Sequence, residues 1–162
     1  MSESLSLENK VAVITGGSRG IGRAVALELA ARGAAVVVNY NKSPEAAEEV
    51  VKKVQEAGGK AAAFQADVSD FKQAEALIKF AVESFGDLSI LVNNAGITKD
   101  MLIMMMSEAD WDAVIDTNLK STFNCSKAAV KHMMRKRVGR IINMASVAQW
   151  RWNSRHAARQ WW

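Results

Sequence analysis

A glycine-rich segment near the start of the chain has the residue types that hold a phosphate group. Residues 15–22 read TGGSRGIG and join an apolar run, Val11–Ile14, to a stretch of helical composition. The first N–H groups of a helix are unpaired and lie at the positive end of its dipole, and both properties suit an anion. Glycines there allow positive φ angles and a close approach of a ligand to the backbone, and Arg19 adds a positive charge. The spacing Gly-x-x-x-Gly-x-Gly is a variant of the dinucleotide fingerprint and predicts a phosphate-binding turn; a tight turn without a ligand is the alternative.

Other residues that could serve the same site follow later apolar runs. Asp67 and Val68 come after the third run, residues 93–96 (NNAG) after the fourth, and Ser146 just after the fifth, while Asn118 lies in a long predicted helix. The carboxyl ends of parallel strands meet at one edge of a sheet. If strands one and four are neighbours, the glycine turn and residues 93–96 therefore border one crevice. The plain alternatives are a helix-approach residue for Asp67, turn residues for Asn93 and Asn94, and a loop residue for Ser146. For Asn118 the alternative is a side chain that only satisfies nearby backbone groups.

The elements that must position these residues alternate between strand and helix. The apolar runs predict strands over residues 11–14, 35–39, 61–65, 88–92 and 140–144. Helical composition and capping signals predict helices over residues 20–32, 43–57 and 69–86, a short helix after a capping box at residues 107–110, and a long one from about 117 to 137. Strict alternation predicts the α/β class, namely a Rossmann-type doubly wound parallel sheet in three α/β/α layers, truncated after about five strands.

Composition limits the classes of protein to consider. The chain has 162 residues, of which 49% are hydrophobic and 23% charged, as in an ordinary globular domain. Its net charge of +4 owes much to arginines in the last fourteen residues, so it is poor support for nucleic-acid binding. The single cysteine, Cys125, excludes an intrachain disulfide and fits a reducing, cytoplasmic setting. Neither a metal-ligand cluster, a signal peptide nor a membrane-length apolar run is apparent, so we expect no metal and no membrane partner.

With these residues placed, the sequence resembles the classical short-chain dehydrogenase/reductase family over roughly residues 7–147. The motifs occur in the family's order: residues 15–22, Asp67-Val68, residues 93–96, Asn118 and Ser146. Within the family, residues 96–100 (GITKD) and 111–119 (WDAVIDTNL) look most like 3-oxoacyl-acyl-carrier-protein reductases, with acetoacetyl-CoA reductases as the alternative. The resemblance implies NADPH-dependent reduction of 3-oxoacyl thioesters to 3-hydroxyacyl thioesters in fatty-acid synthesis, with an acyl carrier protein as a partner.

The resemblance also implies a role for each matching residue. The cofactor pyrophosphate would be held by Gly16, Gly17, Ser18, Arg19, Gly20, Ile21 and Gly22. Asp67 and Val68 would flank the adenine, and the ribose and nicotinamide would be lined by Asn94, Ala95 and Gly96. The catalytic residues would be Asn118, which holds a water in a proton relay and perturbs its helix, and Ser146, which donates a hydrogen bond to the substrate carbonyl.

The end of the second predicted strand bears on the choice of cofactor. An acid at this place would bind the ribose hydroxyls of NAD and repel a 2′-phosphate. The sequence here is Asn39-Tyr40-Asn41-Lys42, which has no acid, and Arg19 lies on the facing turn. Charge complementarity therefore favours NADP(H), with Asn39 among the binding residues. Arg19 and Lys42 as solvated surface residues are the alternative.

Two clusters near the substrate side have a structural and a functional reading. One interpretation of the cations at the end of the long helix is that they complement the helix dipole, and the other is that they dock an acidic carrier protein. These cations are Lys131, His132, Arg135, Lys136, Arg137 and Arg140. Four methionines fill the core or give an adaptable surface beside an acyl chain; they are Met101, Met104, Met105 and Met106. Cys125, which has no evident activating partner, is interpreted as a buried small side chain.

The sequence departs from the family pattern towards residue 162. The family's chemistry needs a Tyr and a Lys four residues apart, and by position this Tyr falls near Arg159, but the only tyrosine is Tyr40. We therefore predict that residues 1–148 form an incomplete NADP(H)-binding domain with impaired activity, or a non-catalytic nucleotide-binding fragment or assembly partner. Such a domain has an uncovered sheet edge, marginal stability and a doubtful homo-oligomer.

Residues 149–162 form an atypical tail rich in arginine and tryptophan. Read one base out of frame, glycine codons yield Trp and Arg, and the family is rich in glycine after the serine. Our hypothesis is that a frameshift or aberrant junction after about Val147 produced this tail, which gene sequencing would test. A segment that binds a membrane surface or a single-stranded nucleic acid is the alternative.

Overall fold

Five parallel strands form one sheet in this protein. The computed structural model describes residues 6–145, so Ser146 and the tail lie outside the described residues. The strands are β1 (Val11–Ile14), β2 (Ala35–Tyr40), β3 (Ala61–Gln65), β4 (Ile90–Asn93) and β5 (Arg140–Asn143). Their order is β3-β2-β1-β4-β5, with every neighbouring pair parallel. This arrangement confirms the predicted doubly wound sheet. Strands one and four are neighbours in it, which is the condition under which the glycine turn and residues 93–96 lie together.

The helices of the described chain cover both faces of the sheet. They are α1 (Gly20–Ala31), α2 (Pro44–Glu56), α3 (Phe71–Phe85), α4 (Glu108–Ile115) and α5 (Ser121–Lys136), with a 3₁₀ turn at Ile103–Met105. The predicted capping box is present, because Ser107 Oγ accepts from the Asp110 N–H at 3.1 Å. Asp70 caps α3 in the same way through the Gln73 N–H, and Gly86 ends that helix with a φ of 80°.

Side chains of the strands alternate between two apolar cores. Val13, Val37 and Leu91 pack with α3 and α5 on one face. Ile14, Val36 and their neighbours pack with α1 and α2 on the other. Since side chains of a strand alternate in direction, runs buried on both sides give the three α/β/α layers. The two cores fix the sheet and leave its carboxyl edge to the polar loops.

Several predicted bounds differ from the structure. β2 extends one residue further, to Tyr40, and β4 begins at Ile90 and includes Asn93. The predicted short and long helices are one helical stretch, because a π-helical turn, Asp116–Lys120, joins α4 to α5 with right-handed helical angles at both junctions. Capping signals mark where a helix can begin, but they do not show that a later stretch continues it.

The far edge of the sheet is exposed in the described part of the chain. β5 pairs on one side with β4, and Ile142 and Met144 are nearly half exposed. The outer face of the helical stretch also exposes large apolar side chains, including Leu119, Phe123 and Met134. Among the described helices, none has the length and apolar character needed to cross a bilayer.

Candidate nucleotide-binding site

The glycine turn is locked to the loop that follows β4. Thr15 Oγ1 accepts from the backbone N–H groups of Asn94 and Ala95 at 2.9 and 3.0 Å. The Asn94 amide in turn donates to the carbonyls of Thr15 and Gly16 at 3.0 and 3.1 Å. The carboxyl ends of β1 and β4 are therefore joined by four hydrogen bonds. The predicted crevice between the turn and residues 93–96 lies at this junction, where strand order reverses.

Three glycines of the turn are required for different reasons. Gly16 and Gly20 have φ angles of 62° and 55°, which L side chains rarely adopt. Gly22 has an ordinary φ but no space, because a Cβ there would lie 2.4 Å from both Asn94 Nδ2 and the Gly16 carbonyl oxygen. The glycines thus let the start of α1 pack directly on the end of β4.

The start of α1 faces the crevice without an internal partner. Arg19 is the N-cap residue in an extended conformation, its side chain makes no capping hydrogen bond, and the first turn has no acid. Arg19 and Ile21 are exposed, whereas Gly17 and Ser18 are buried. Unpaired helical N–H groups, an uncompensated dipole and a nearby guanidinium form a site for an anion such as a pyrophosphate.

Asn39 lies beneath the turn rather than in the crevice. It is 2% exposed, and its Oδ1 accepts from the Gly16 N–H at 3.2 Å. Its Nδ2 donates to backbone carbonyls, the closest being that of Ala66 at 3.0 Å. Its side chain therefore supports the turn from inside, which differs from the predicted contact with the cofactor. The residues that follow β2 outward are Asn41 and Lys42, since the strand extends to Tyr40.

The loop after β3 presents a carboxylate at the same edge. Asp67 Oδ1 accepts from Ser69 Oγ at 2.6 Å and from the Ser69 N–H at 3.0 Å. The Ser69 hydroxyl bond is the main cause that holds the pKa of the Asp67 carboxyl below its ordinary value, with smaller help from Asn41 and Lys42. Val68 is 5% exposed and belongs to the core, so its backbone, not its side chain, is what it can offer to a ligand.

Asn118 ties the π-helical turn to the loop that leaves β4. Its Oδ1 accepts from the Ile97 N–H at 2.8 Å, and its Nδ2 donates to the Ile97 carbonyl at 3.1 Å. Gly96 lies against it, because a Cβ there would be 3.3 Å from Asn118 Oδ1. The helix is perturbed at this residue, as predicted. The Asn118 carbonyl oxygen accepts a hydrogen bond from Thr122 Oγ1, four residues further along the helix, at 2.9 Å.

Two buried asparagines of the site were missed or only half understood in the sequence. Asn93, predicted to follow the fourth strand, belongs to β4, and its Nδ2 donates to Asn143 Oδ1 and Ser126 Oγ at 2.9 and 3.1 Å. Asn124 is 3% exposed on α5 and donates to backbone carbonyls of the loop after β3. A polar residue among the buried positions of a helix was the signal that could have revealed Asn124.

A cavity of about 900 Å³ lies at the opposite end of the sheet. Its lining includes Lys10, Gly33 and Gly59, next to the last turns of α1 and α2. Helices present unpaired carbonyl oxygens there, and these repel a phosphate. The candidate site for an anion is therefore the carboxyl edge, where the helices begin.

This geometry defines a class of protein, namely a doubly wound α/β sheet with a glycine turn between strand and helix at its switch point. Residues 10–157 match the short chain dehydrogenase family. The chain belongs to this family, as the sequence motifs predicted. The matched segment runs past residue 148, so the boundary proposed between domain and tail stays a prediction.

Relatives and solved structures agree with this assignment. The chain is 53% identical over 138 residues to 3-oxoacyl-(acyl-carrier-protein) reductase FabG of Staphylococcus aureus, covering 85% of this chain and 56% of the relative. It is 50% identical over 143 residues to a 3-oxoacyl-(acyl-carrier-protein) reductase of Synechocystis, covering 88% and 58%. The chain therefore spans less than two thirds of the curated relatives it matches.

Among solved structures, a short chain dehydrogenase from Burkholderia cenocepacia in complex with NADP has a TM-score of 0.87 and 37% identity, covering 94% of this chain and 62% of that one. A short chain dehydrogenase from Mycobacterium avium has a TM-score of 0.86 and 39% identity, covering 94% and 57%.

Proposed function

We propose that the crevice between the glycine turn and residues 94–96 binds NADP(H). The observation that carries this proposal is the junction of β1 and β4, where Thr15 and Asn94 join the glycine turn to the loop after β4, beside the exposed start of α1. Gly16–Gly22 would hold the pyrophosphate, Asp67 and the Val68 backbone the adenine, and Asn94–Gly96 the ribose and nicotinamide. The residues present fit such a ligand, because a Cβ at Gly20 would meet nothing within 4 Å, which leaves the backbone at the start of α1 open to a phosphate.

The choice of NADP(H) over NAD(H) rests on charge. The residues after β2 include Lys42, and Arg19 is exposed on the facing turn, whereas no acid follows Asn39 before residue 45. A protein of the same family is solved with NADP. Lys42→Glu should weaken NADPH binding by about tenfold and reduce or invert the preference over NADH, because one charge near a phosphate changes sign. Lys60→Glu, at the opposite end of the sheet, is the matched control and should change neither affinity. Equal NADPH affinity in the Lys42 variant would contradict this part of the proposal.

For the reaction, we infer reduction of a 3-oxoacyl thioester to the 3-hydroxyacyl form, as the names of the relatives suggest. Bound NADPH supplies hydride chemistry at this site. Ser146 would donate a hydrogen bond to the substrate carbonyl, and Asn118 would hold the loop after β4 in place through Ile97. An acetoacetyl-CoA reductase is the alternative within the same chemistry.

The proton donor is the point on which activity depends. Reduction of a carbonyl needs a proton as well as a hydride, and the family's Tyr-x-x-x-Lys pair does not occur in these 162 residues. We therefore propose that the 162-residue chain binds the cofactor with little or no turnover. The alternative function is a non-catalytic nucleotide-binding module. It would bind the cofactor at the same site, but it would act on a partner in assembly and not on a thioester substrate.

One experiment separates these outcomes. NADPH binding by the purified chain is followed by nicotinamide fluorescence, and acetoacetyl-CoA is then added. We expect binding without oxidation. Oxidation would show that another group donates the proton, and the absence of binding would refute the proposed site. A full-length relative, which covers the missing part, serves as the positive control.

We further propose that the carrier protein docks on the basic end of α5. Lys131 and Lys136 are engaged by Glu75 and Asp87 at 3.0 and 2.7 Å. Arg135 and Arg137 are exposed and form no ion pair within residues 6–145, which leaves them for an acidic partner. Arg135→Glu should weaken binding of acyl carrier protein and reduce its salt dependence, while NADPH binding stays unchanged. We also propose a cytoplasmic setting, consistent with the single thiol of Cys125.

A further inference from the structure

A buried amide on α5 holds the loop that would meet the adenine. Asn124 Nδ2 donates one hydrogen to the Val68 carbonyl at 3.1 Å and the other to the Ser69 carbonyl at 2.9 Å. Asn124 is 3% exposed, so it does not itself reach a ligand. Both amide hydrogens are used on consecutive carbonyls, which fixes the direction of the peptide between Val68 and Ser69. Water cannot easily replace such a contact, because the first of these bonds is buried.

The N–H groups of the same loop are almost all occupied from within. The Asp67 N–H donates to Gln73 Oε1 at 2.8 Å. The N–H groups of Ser69 and Asp70 donate to the Asp67 side chain and carbonyl at 3.0 and 3.1 Å. Of the N–H groups of residues 67–70, that of Val68 alone has no acceptor within the described residues 6–145. The Asp67 carboxylate and the Val68 N–H thus form an adjacent acceptor and donor.

This acceptor and donor match the Watson–Crick edge of adenine. They do not match the same edge of hypoxanthine, the deaminated base. Adenine offers its amino group as a donor beside the ring nitrogen N1 as an acceptor, and proteins read a base by hydrogen bonds to this edge. Hypoxanthine offers the reverse, a carbonyl oxygen beside N1–H. Discrimination between the two bases therefore depends on the direction of the Val68 backbone.

We propose that Asn124 is a positioning residue for the adenine end of the cofactor: by holding the carbonyls of Val68 and Ser69, it orients the Val68 N–H and so sets the preference for adenine without touching the ligand. This inference rests on the proposed function. It also links both ends of the site to one helical stretch, since Asn118 holds the loop at the nicotinamide end six residues earlier.

The test compares NADPH with its hypoxanthine analogue, deamino-NADPH, by nicotinamide fluorescence on the full chain. We expect the unaltered chain to prefer NADPH by about tenfold, as one to two hydrogen bonds allow. Asn124→Leu has a similar volume and no donors, and it should weaken NADPH binding and leave deamino-NADPH unchanged, which brings the ratio close to one. Cys125→Ala is the matched control on the same helix, equally buried and without a bond to the loop, and it should keep the ratio.

The outcomes separate the inference from the function on which it rests. If the unaltered chain binds NADPH and prefers adenine, but Asn124→Leu keeps the same ratio, the positioning role is refuted and the cofactor site stands. If the unaltered chain does not bind NADPH, or binds both nucleotides equally, the proposed adenine contact fails and the inference fails with it.

A second measurement requires no ligand. Asn124→Leu should speed amide exchange at Ser69 and Asp70 by about tenfold or more, because their loop loses its anchor, with no change in β1. Unchanged exchange would overturn the inference. Should the Leu variant fail to fold, Asn124→Ser keeps one donor and should show an intermediate ratio and intermediate exchange. If Asn124→Ser shows the same ratio and the same exchange rates as the unaltered chain, the inference is likewise overturned.

Discussion

Thr15→Val tests whether one hydroxyl oxygen joins the two halves of the site. The substitution replaces a side chain that is 1% exposed with one of nearly the same shape. It removes the acceptor of two backbone N–H groups, those of Asn94 and Ala95 at 2.9 and 3.0 Å. It also removes a weaker donation to the Val92 carbonyl at 3.4 Å. The variant therefore leaves donors without a partner while the packing volume hardly changes.

The expected loss follows from these contacts. An unpaired buried donor costs about 1–3 kcal/mol. Asn94 and Ala95 are half-buried, so water recovers part of each loss, and we expect a total of about 2–4 kcal/mol for the two N–H groups. Thr15→Ser is the control, because it keeps the oxygen and loses one methyl group, at about 1 kcal/mol. In a domain of this size, these values correspond to falls in Tm of about 5–15 °C and about 2–4 °C.

Urea and thermal unfolding of the three proteins measure these differences, and NADPH titration measures the site. Thr15→Val should also weaken NADPH binding, since the glycine turn and the loop after β4 are no longer held together. If Thr15→Val is as stable as Thr15→Ser and binds NADPH equally well, the hydroxyl does not join the turn to the loop and does not shape the cofactor site.

Three further outcomes are expected. Gly22→Ala should weaken NADPH binding by about tenfold or more because its Cβ overlaps two polar atoms. Gly58→Ala lies away from the turn and its Cβ would meet nothing within 4 Å; its φ of 80° costs stability, but it should leave binding unchanged in the same titration. Ser69→Ala should raise the pKa of Asp67 towards 3.8 in a carboxyl NMR titration. Because the pKa of Asp67 is depressed in the folded unaltered chain, the Asp67 carboxylate stabilises the fold above its ordinary pKa, and this contribution is lost as the pH falls through the folded pKa. The unaltered chain and Ser69→Ala should therefore differ in stability near neutral pH and converge in acid. Cys125 should resist alkylation in the native protein at pH 8, because burial raises the pKa of its thiol to about 12, and should react once urea unfolds the chain.

The fold followed from the sequence because β1, β2 and β4 are short apolar runs that are buried on both sides. Alternation of such runs with helices permits few arrangements, and the doubly wound sheet is one of them. The glycine turn was also readable, since positive φ angles at Gly16 and Gly20 need glycine in almost any fold. Strand ends were less certain, because Tyr40 and Asn93 continue a strand by pairing with a neighbour, and pairing is a tertiary property.

The polar residues of the site were predictable in place but not in direction. Asn39 stands at the end of an apolar run, and its letter does not show that its amide turns inward to Gly16. Asn124 lies in a helix rich in polar residues, so its burial depends on the angle at which α5 packs on α3. Such angles are set by whole faces of packed side chains, which a single sequence does not specify.

The π-helical turn at Asp116–Lys120 changes which face of the long helix is directed towards the sheet before and after it. An inserted residue in a helix rotates everything that follows by about 100° relative to the part before it. Val114 before the turn and Ala129 after it both point inward, so the turn is what brings both segments into register with the sheet. Deleting one residue within it would restore an unbroken helix and aim Asn124 and Cys125 away from their present neighbours. Length variation is therefore more restricted within this short stretch than in the loops around it, even though none of its side chains is buried.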